Sequence, residues 1–132
     1  MEQKGVMDFE IRRGIMVVQF NIEWIGQAEG LETIARDLRQ LIGQNQPVKM
    51  IVDFSRVVFF SSHMLGLLVD IWRRLKDCGG ILVISGINPT LTRVFRITSL
   101  DKVFTFYPDI ESALKALAQP EGKGTAVVDP VN

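Results

Sequence analysis

The sequence predicts a single α/β domain with a mixed central β-sheet and helices packed against it, in the order ββαβαβαβα. Apolar residues recur with period two near the start of the chain and with helical spacing further along, which is typical of strands followed by amphipathic helices. Two nearly continuous apolar runs, Met50–Val52 and Ile81–Ile84, indicate strands that are covered on both faces. At 132 residues the chain has the length of one domain.

The first half of the chain predicts a hairpin, an amphipathic helix and a buried strand. The hairpin covers residues 7–20 with its turn at Arg13-Gly14, the helix covers residues 28–42, and the strand covers residues 48–54. Gly43 is the predicted C-cap of the helix, since glycine adopts the left-handed conformation that ends many helices. The segments between these elements, residues 21–26 and 55–60, predict irregular connections.

The second half alternates helices with short strands. An apolar stripe from Met64 to Leu75 predicts a helix that begins at Ser61, and this stripe includes Trp72, which we expect in the core. Gly79-Gly80 ends that helix, and a strand follows. The remaining elements are a helix that starts at Asn88-Pro89 with Asn88 as N-cap, a strand over residues 103–106, and a last helix opened by Pro108-Asp109.

Composition excludes several classes of protein. The chain is 47% hydrophobic and has 15 basic and 15 acidic residues, so that it is neither disordered nor a nucleic-acid binder of the strongly basic kind. No apolar run reaches the ~20 residues that a membrane span needs. Residues 1–5 show no hydrophobic region of the signal-peptide kind, so we expect no signal peptide. Cys78 is the only cysteine, and we expect a partly buried, inert thiol. These features predict a soluble, cytoplasmic protein.

Side chains that carry catalysis are scarce. The chain has no glycine-rich phosphate loop, and His63 and Cys78 are too few for a structural zinc site, which needs about four ligands. Asp53 ends a strand, where α/β proteins often place functional groups, although a turn or capping role is the simpler interpretation. We therefore predict no enzyme activity and no cofactor.

The pair Ser61-Ser62 stands where the second helix begins, and it has two interpretations. In the structural one, Ser61 is the N-cap and Ser62 has a spare hydroxyl. In the functional one, a serine of the pair is a regulatory phosphorylation site. A helix N-terminus tolerates a phosphate well, because its backbone N–H groups are unpaired and the helix dipole is positive there. The added charge of about −1.5 to −2 would switch a protein interface without refolding the domain.

A strand followed by Asp53-x-Ser55-x-Val57, apolar residues and a serine-containing helix start resembles the STAS domain of bacterial anti-sigma factor antagonists. Residues 94–104 are similar to the late family signature Val-Phe-x-x-Thr-Gly-Leu-x-x-x-Phe. The resemblance covers roughly residues 7–119, so we expect a STAS-like domain over residues 1–119 and a disordered tail over residues 120–132.

The resemblance implies regulation by partner switching. In the family, the unmodified domain binds an anti-sigma factor with a serine-kinase fold and thereby releases a sigma factor; phosphorylation of a serine at the second helix breaks the complex, and a phosphatase restores it. Ser62 falls at the position of that serine. The implied partners are proteins, with no direct contact to nucleic acid. The candidate partner-binding residues are Asp53, Ser61, Ser62, His63 and Met64.

The helix start departs from the family pattern Asp-Ser-Ser/Thr-Gly, since this chain has Ser61-Ser62-His63-Met64. The acidic residue is lost before the acceptor, and Met64 replaces a glycine, so that we expect its side chain to hinder a partner's backbone. An alternative function therefore stays open: a STAS scaffold or a small-ligand-sensing module that has lost the phosphorylation switch.

Overall fold

The computed structural model describes residues 6–26, 28–45 and 49–118. Short runs of alternating or continuous apolar residues form strands there, and the longer amphipathic runs form helices. The elements in chain order are β1 (Met7–Arg12), β2 (Ile15–Phe20), β3 (Trp24–Ile25), α1 (Ala28–Asn45), β4 (Lys49–Asp53), β5 (Phe59–Phe60), α2 (Ser62–Asp77), β6 (Ile81–Ser85), α3 (Pro89–Ile97), a 3-10 turn (Leu100–Lys102), β7 (Thr105–Tyr107) and α4 (Ile110–Leu117).

The predicted hairpin is confirmed. β1 and β2 pair antiparallel, with Arg12 opposite Ile15 and a two-residue turn between them. Both turn residues have positive φ, 53° at Arg13 and 80° at Gly14. Two consecutive positive φ values are the geometry of the type I′ turn, whose twist matches that of the strands it joins.

The central sheet is mixed, as predicted. Its five strands lie in the order β1-β2-β4-β6-β7. β1 is antiparallel to its neighbour, whereas β2, β4, β6 and β7 run parallel. Helices cover both faces of the sheet, so the middle of the central strand β4 is continuously apolar: Met50, Ile51 and Val52 are each 0% exposed.

Three helices cover one face of the sheet and one helix covers the other. Residues of α1, α2 and α3 form the larger core with alternate side chains of β2, β4 and β6. α4 covers the opposite face with Ala113, Leu114 and Leu117, which pack against Ile15, Val17, Ile51 and Val83. The alternation of side chains along each strand divides the apolar residues between these two layers.

A chain of aromatic rings fills the larger core near the carboxyl ends of the strands. Phe20 stacks on Phe54 at 5.2 Å between ring centroids, Phe54 contacts Phe60 at 5.4 Å, and Phe60 contacts Phe95 at 5.9 Å. All four rings are almost fully buried. Tilted and offset ring pairs are the favoured arrangements, so this cluster is a firm support for the loops and helix ends above it.

Most of the predicted helix ends are confirmed. Asn88 Oδ1 accepts a hydrogen bond from Leu91 N at 2.8 Å, and Asp109 Oδ1 accepts one from Ser112 N at 2.8 Å. Gly79 has φ +79°, and the Gly80 N–H donates to Leu75 O at 2.7 Å, which is the Schellman pattern. All three of these caps use side chains or glycines that the sequence displays directly.

Several sequence predictions need correction. α1 runs through Gly43 and ends at Asn45, because Gly43 keeps a helical φ. Cys78 is exposed rather than partly buried, since the residue after α2 faces solvent. Trp72 lies at the rim of the core: it is partly buried, with its ring 6.4 Å from that of Phe104 and the Lys76 ammonium 4.8 Å above it. The predicted tail, residues 120–132, lies outside the described residues.

Candidate functional site

The start of α2 lies at the carboxyl ends of the parallel strands. Ser61 occupies the N-cap position with an extended backbone, φ −82° and ψ 168°. Its N–H donates to Ile25 O at 2.9 Å, and its carbonyl accepts from Met64 N at 3.0 Å. Its side chain, however, makes no capping hydrogen bond, and Ser61 Oγ is buried without a partner among the described residues. Ser61 therefore begins the helix through its backbone alone.

Ser62 and His63, the first two residues of α2, are both exposed. No acidic residue stands in the first turn of this helix. The first N–H groups of a helix have no partner within it, and the helix dipole is positive at this end. The Ser62 hydroxyl is therefore open to solvent at a position that favours negative charge.

The other candidate residues, Met64 and Asp53, are buried beneath the surface. Met64 is 0% exposed and belongs to the larger core, as the apolar stripe of α2 indicates. Its side chain points away from an approaching partner, so the expected steric hindrance does not arise from this conformation. Asp53 is 2% exposed and offers no contact surface either.

Asp53 joins the ends of two parallel strands to the loop that leads to β5. Its Oδ1 accepts a hydrogen bond from Ser85 Oγ at 2.6 Å. Its Oδ2 accepts from Ser55 N at 3.2 Å and also from Ser55 Oγ. Gly86, with φ +72°, fits beside this carboxyl group because it lacks a side chain: a Cβ there would lie 2.8 Å from Asp53 Oδ1. Asp53 thus has the turn-forming role that its position at a strand end predicts.

A small second sheet borders the start of α2, in two segments whose sequence predicts irregular connections. β3 and β5 pair in parallel, with Trp24 opposite Phe59 and Ile25 opposite Phe60. Ile25 and Phe60 are buried, whereas Trp24 is 64% exposed. The signal in the sequence is an apolar pair in each segment. Two residues are too few to display a period, so this signal does not distinguish a strand from a loop.

A groove of about 470 Å³ separates α1 from α2 and reaches the start of α2. Its lining includes the apolar side chains Leu31, Ala35 and Leu67, and His63 stands at one end. At the other end Asp70 accepts hydrogen bonds from Arg74 at 3.1 Å and from Arg39 at 3.2 Å. Partial burial raises the pKa of Asp70, but the hydrogen bonds and charges of Arg74 and Arg39 outweigh it and hold the pKa below its ordinary value.

The described part of the chain contains no set of three or more His, Cys, Asp or Glu side chains arranged to hold a metal ion. Within the same residues, no helix combines the length and apolar character that crossing a membrane requires.

Comparison with known proteins identifies relatives of this chain. The family model for the STAS domain matches residues 7–113. A Thermotoga neapolitana protein with the name "Putative anti-sigma factor antagonist TM1081 homolog" is 31% identical over 67 residues, which are 51% of this chain and 59% of that protein.

Two solved structures share the fold. The anti-sigma-factor antagonist (STAS) domain protein of Planctomyces limnophilus is 26% identical, with a TM-score of 0.79 over 86% of this chain and 98% of that one. The phosphorylated form of the Bacillus cell fate determinant SpoIIAA is 21% identical, with a TM-score of 0.65 over 84% of this chain and 98% of that one.

Proposed function

The chain belongs to the STAS domain family, and from this premise we propose that it is an anti-sigma factor antagonist controlled by phosphorylation of Ser62. In its unmodified form it binds an anti-sigma factor with a serine-kinase fold in the cytoplasm and so frees a sigma factor. The kinase then phosphorylates Ser62, which breaks the complex, and a phosphatase restores the hydroxyl. The chain is the substrate in this cycle and not a catalyst.

The observation that carries this proposal is the different exposure of two adjacent serines. The Ser61 hydroxyl is buried, whereas Ser62 is exposed on the first residue of α2. A kinase has to bring its phosphate donor to the acceptor oxygen, so it reaches Ser62 without unfolding the helix and does not reach Ser61. The exposed position is also the one to which the family resemblance assigns phosphorylation.

A phosphate on Ser62 is compatible with the folded domain. It brings about −1.5 to −2 charges to a helix start that has no acidic residue in its first turn. The positive end of the helix dipole and the free N–H groups stabilise that charge within this protein. The unfavourable effect therefore falls on the complex, where the partner has to accommodate both bulk and charge. The phosphorylated form of SpoIIAA, which has the same fold, supports this reasoning.

The five candidate residues divide into two groups under this proposal. Ser61, Ser62 and His63 form the surface that the partner approaches, with Ser61 contributing its backbone. Asp53 and Met64 lie beneath that surface and hold its shape, since both are almost fully buried.

The test uses purified chain, Mg²⁺-ATP and each serine-kinase-fold anti-sigma factor encoded in the source genome. Ser62→Ala and Ser61→Ala form a matched pair of variants. We expect phosphate incorporation into the wild type and Ser61→Ala but not into Ser62→Ala, with Ser62 as the site in peptide mass spectra. Phosphorylated protein should bind its partner at least tenfold more weakly. Modification of another residue only, or unchanged affinity after complete phosphorylation of Ser62, would exclude the switch.

The groove between α1 and α2 favours a second candidate, a module that senses a small ligand. Its volume of about 470 Å³ lies in the range of small-molecule sites, and it is next to His63. A ligand in this groove would stabilise the chain against heat, and the Ala35→Phe variant, which fills the groove, would lose that stabilisation. If no kinase-fold protein binds and such a ligand is found, ligand sensing becomes better supported than partner switching.

A further inference from the structure

An exposed apolar surface lies beside the start of α2. It consists of Trp24, Val58 and Phe59, which we call the Trp24 surface. Trp24 is 64% exposed and Val58 is 49% exposed, while Phe59 is partly buried with its ring 5.5 Å from that of Trp24. Trp24 and Phe59 thus form an aromatic pair with one exposed member, and aromatic residues are enriched where proteins bind one another.

The backbone beneath the Trp24 surface is fixed. Glu23 O accepts hydrogen bonds from Val58 N at 2.7 Å and Phe59 N at 3.1 Å, which lock the two short strands together. Ile25 and Phe60 anchor the same strands in the core, where both are at most 2% exposed. The Trp24 side chain is therefore presented by a rigid support, so ordering it on binding costs little entropy.

The Trp24 surface adjoins the proposed phosphorylation site. Ser61 N donates to Ile25 O at 2.9 Å, so β3 is bonded directly to the N-cap of α2. Phe59 precedes Ser62 by three residues, and their Cα atoms are at most about 11 Å apart because each step of the chain spans about 3.8 Å. An interface of ordinary size, about 800 Å² per partner, is wide enough to include both Ser62 and Trp24.

A basic flank borders the same surface. Asn88 Nδ2 donates to Val58 O at 2.9 Å, and the next residue, Pro89, shares a surface hollow with Arg93 and Arg96. Arg56 lies two residues before Val58 and is also exposed. Across residues 6–26, 28–45 and 49–118, none of these three arginines is seen in an ion pair.

We propose that Trp24 is the anchor of the partner interface, inserting into an apolar pocket whose bordering carboxylates pair with Arg56, Arg93 and Arg96. The partner is a protein with an acidic surface around an apolar pocket. This inference rests on the proposed function, whose partner it describes further. Tryptophan and arginine are the residues that most often dominate binding energy, when they lie at the desolvated centre of an interface.

The experiment measures the affinity of purified anti-sigma factors of the serine-kinase fold for variants of this chain, by titration calorimetry. We expect Trp24→Ala to weaken binding about 30-fold or more, as for an anchor residue. The control is Ile11→Ala, which removes another half-exposed apolar side chain on β1, at the opposite end of the sheet, and should change the affinity less than twofold. Arg93→Glu combined with Arg96→Glu should weaken binding and reduce its dependence on salt.

A second measurement needs no substitution of Trp24. In the Trp72→Phe variant, Trp24 is the remaining tryptophan. Its emission should shift to shorter wavelength, and acrylamide should quench it less, when the partner binds.

The outcomes separate the two proposals. Suppose that a kinase-fold partner binds, but Trp24→Ala binds within twofold of the wild type or Trp24 stays equally open to acrylamide. Then the proposal that Trp24 is the anchor is wrong while the proposed function stands. If no kinase-fold protein binds, the proposed function is wrong and the anchor falls with it.

Discussion

Ser85 donates a hydrogen bond of 2.6 Å from its Oγ to Asp53 Oδ1, and both residues are almost completely buried. Asp53 and Ser85 are paired residues at the carboxyl ends of β4 and β6. The same carboxyl group accepts two hydrogen bonds from Ser55, the second residue after β4. One buried side chain thus fixes the direction in which the chain leaves the sheet toward β5 and the start of α2.

Loss of either partner should destabilise the domain. We expect Ser85→Ala to lower the free energy of unfolding by about 1–3 kcal/mol, because a buried acceptor loses its donor. Asp53→Ala should cost at least as much, since it removes the bonds to Ser55 as well. Urea unfolding of both single variants and the double variant measures the coupling between them. Strictly additive effects would contradict a direct interaction.

Gly86 should tolerate no side chain. Its φ of +72° disfavours other residues, and a Cβ would lie 2.8 Å from Asp53 Oδ1 and 3.1 Å from Ser55 N. We expect Gly86→Ala to cost at least about 1–2 kcal/mol. The control is Gly43→Ala, in the exposed part of α1 with open space around its Cβ position, which should stabilise by about 0.5–1 kcal/mol. Equal effects in thermal unfolding would argue against the tight approach at Gly86.

Trp72 should contribute less to stability than its size indicates. It is partly buried at the rim of the core, so we expect Trp72→Ala to cost about 2 kcal/mol. Phe95 is 0% exposed and contacts three other aromatic rings, so Phe95→Ala should cost about 3–5 kcal/mol. Denaturant unfolding gives both values. A larger loss for Trp72→Ala than for Phe95→Ala would contradict the observed burial.

The contacts of Asp70 predict that the stability of the domain depends on pH. Since Arg74 and Arg39 hold the folded-state pKa of Asp70 below its ordinary value of 3.8, its stabilising effect is present above that value and is lost as the pH falls through the lower, folded-state value. Asp70→Asn should therefore destabilise the domain near neutral pH and have little effect in strong acid. All three side chains are at least one-third exposed, so we expect only about 0.2–1 kcal/mol, decreasing with salt. Unfolding curves of the wild type and Asp70→Asn across this pH range measure the effect. A stability difference that grew on acidification would contradict the interaction.

A charge at position 62 should change the stability of the domain through the helix dipole. Ser62→Asp should raise the free energy of unfolding by about 0.3–1 kcal/mol, and Ser62→Lys should lower it by a similar amount. The corresponding shifts in melting temperature are a few degrees for a domain of about this size. A strongly destabilised Ser62→Asp would mean that phosphorylation disrupts the domain itself and not only the complex.

The order of the longer strands and helices, and most of the helix ends, could be predicted because they depend on neighbouring residues. Asn88 and Asp109 cap helices with their own side chains, and the apolar stripe of α2 correctly directs Met64 inward. The end of α1 could not be predicted from Gly43, because a glycine permits a left-handed conformation without requiring it. The prediction for Trp72 is too deep for a similar reason: an apolar stripe indicates which side of a helix faces inward, but not how far the core extends.

By itself the sequence determined the α/β order, the mixed sheet and the helix start at which Ser62 stands, since periodicity and capping act within a few residues. Tertiary structure alone decided which serine is exposed, where the Asp53 carboxyl group finds its donors, and that Trp24 lies next to Phe59. The contacts of Ser61 with Ile25, of Asp53 with Ser85 and of Trp24 with Phe59 each join segments more than 30 residues apart in the chain. The physical reason is that burial and hydrogen-bond partners are set by what packs against a residue, which its immediate neighbours do not specify.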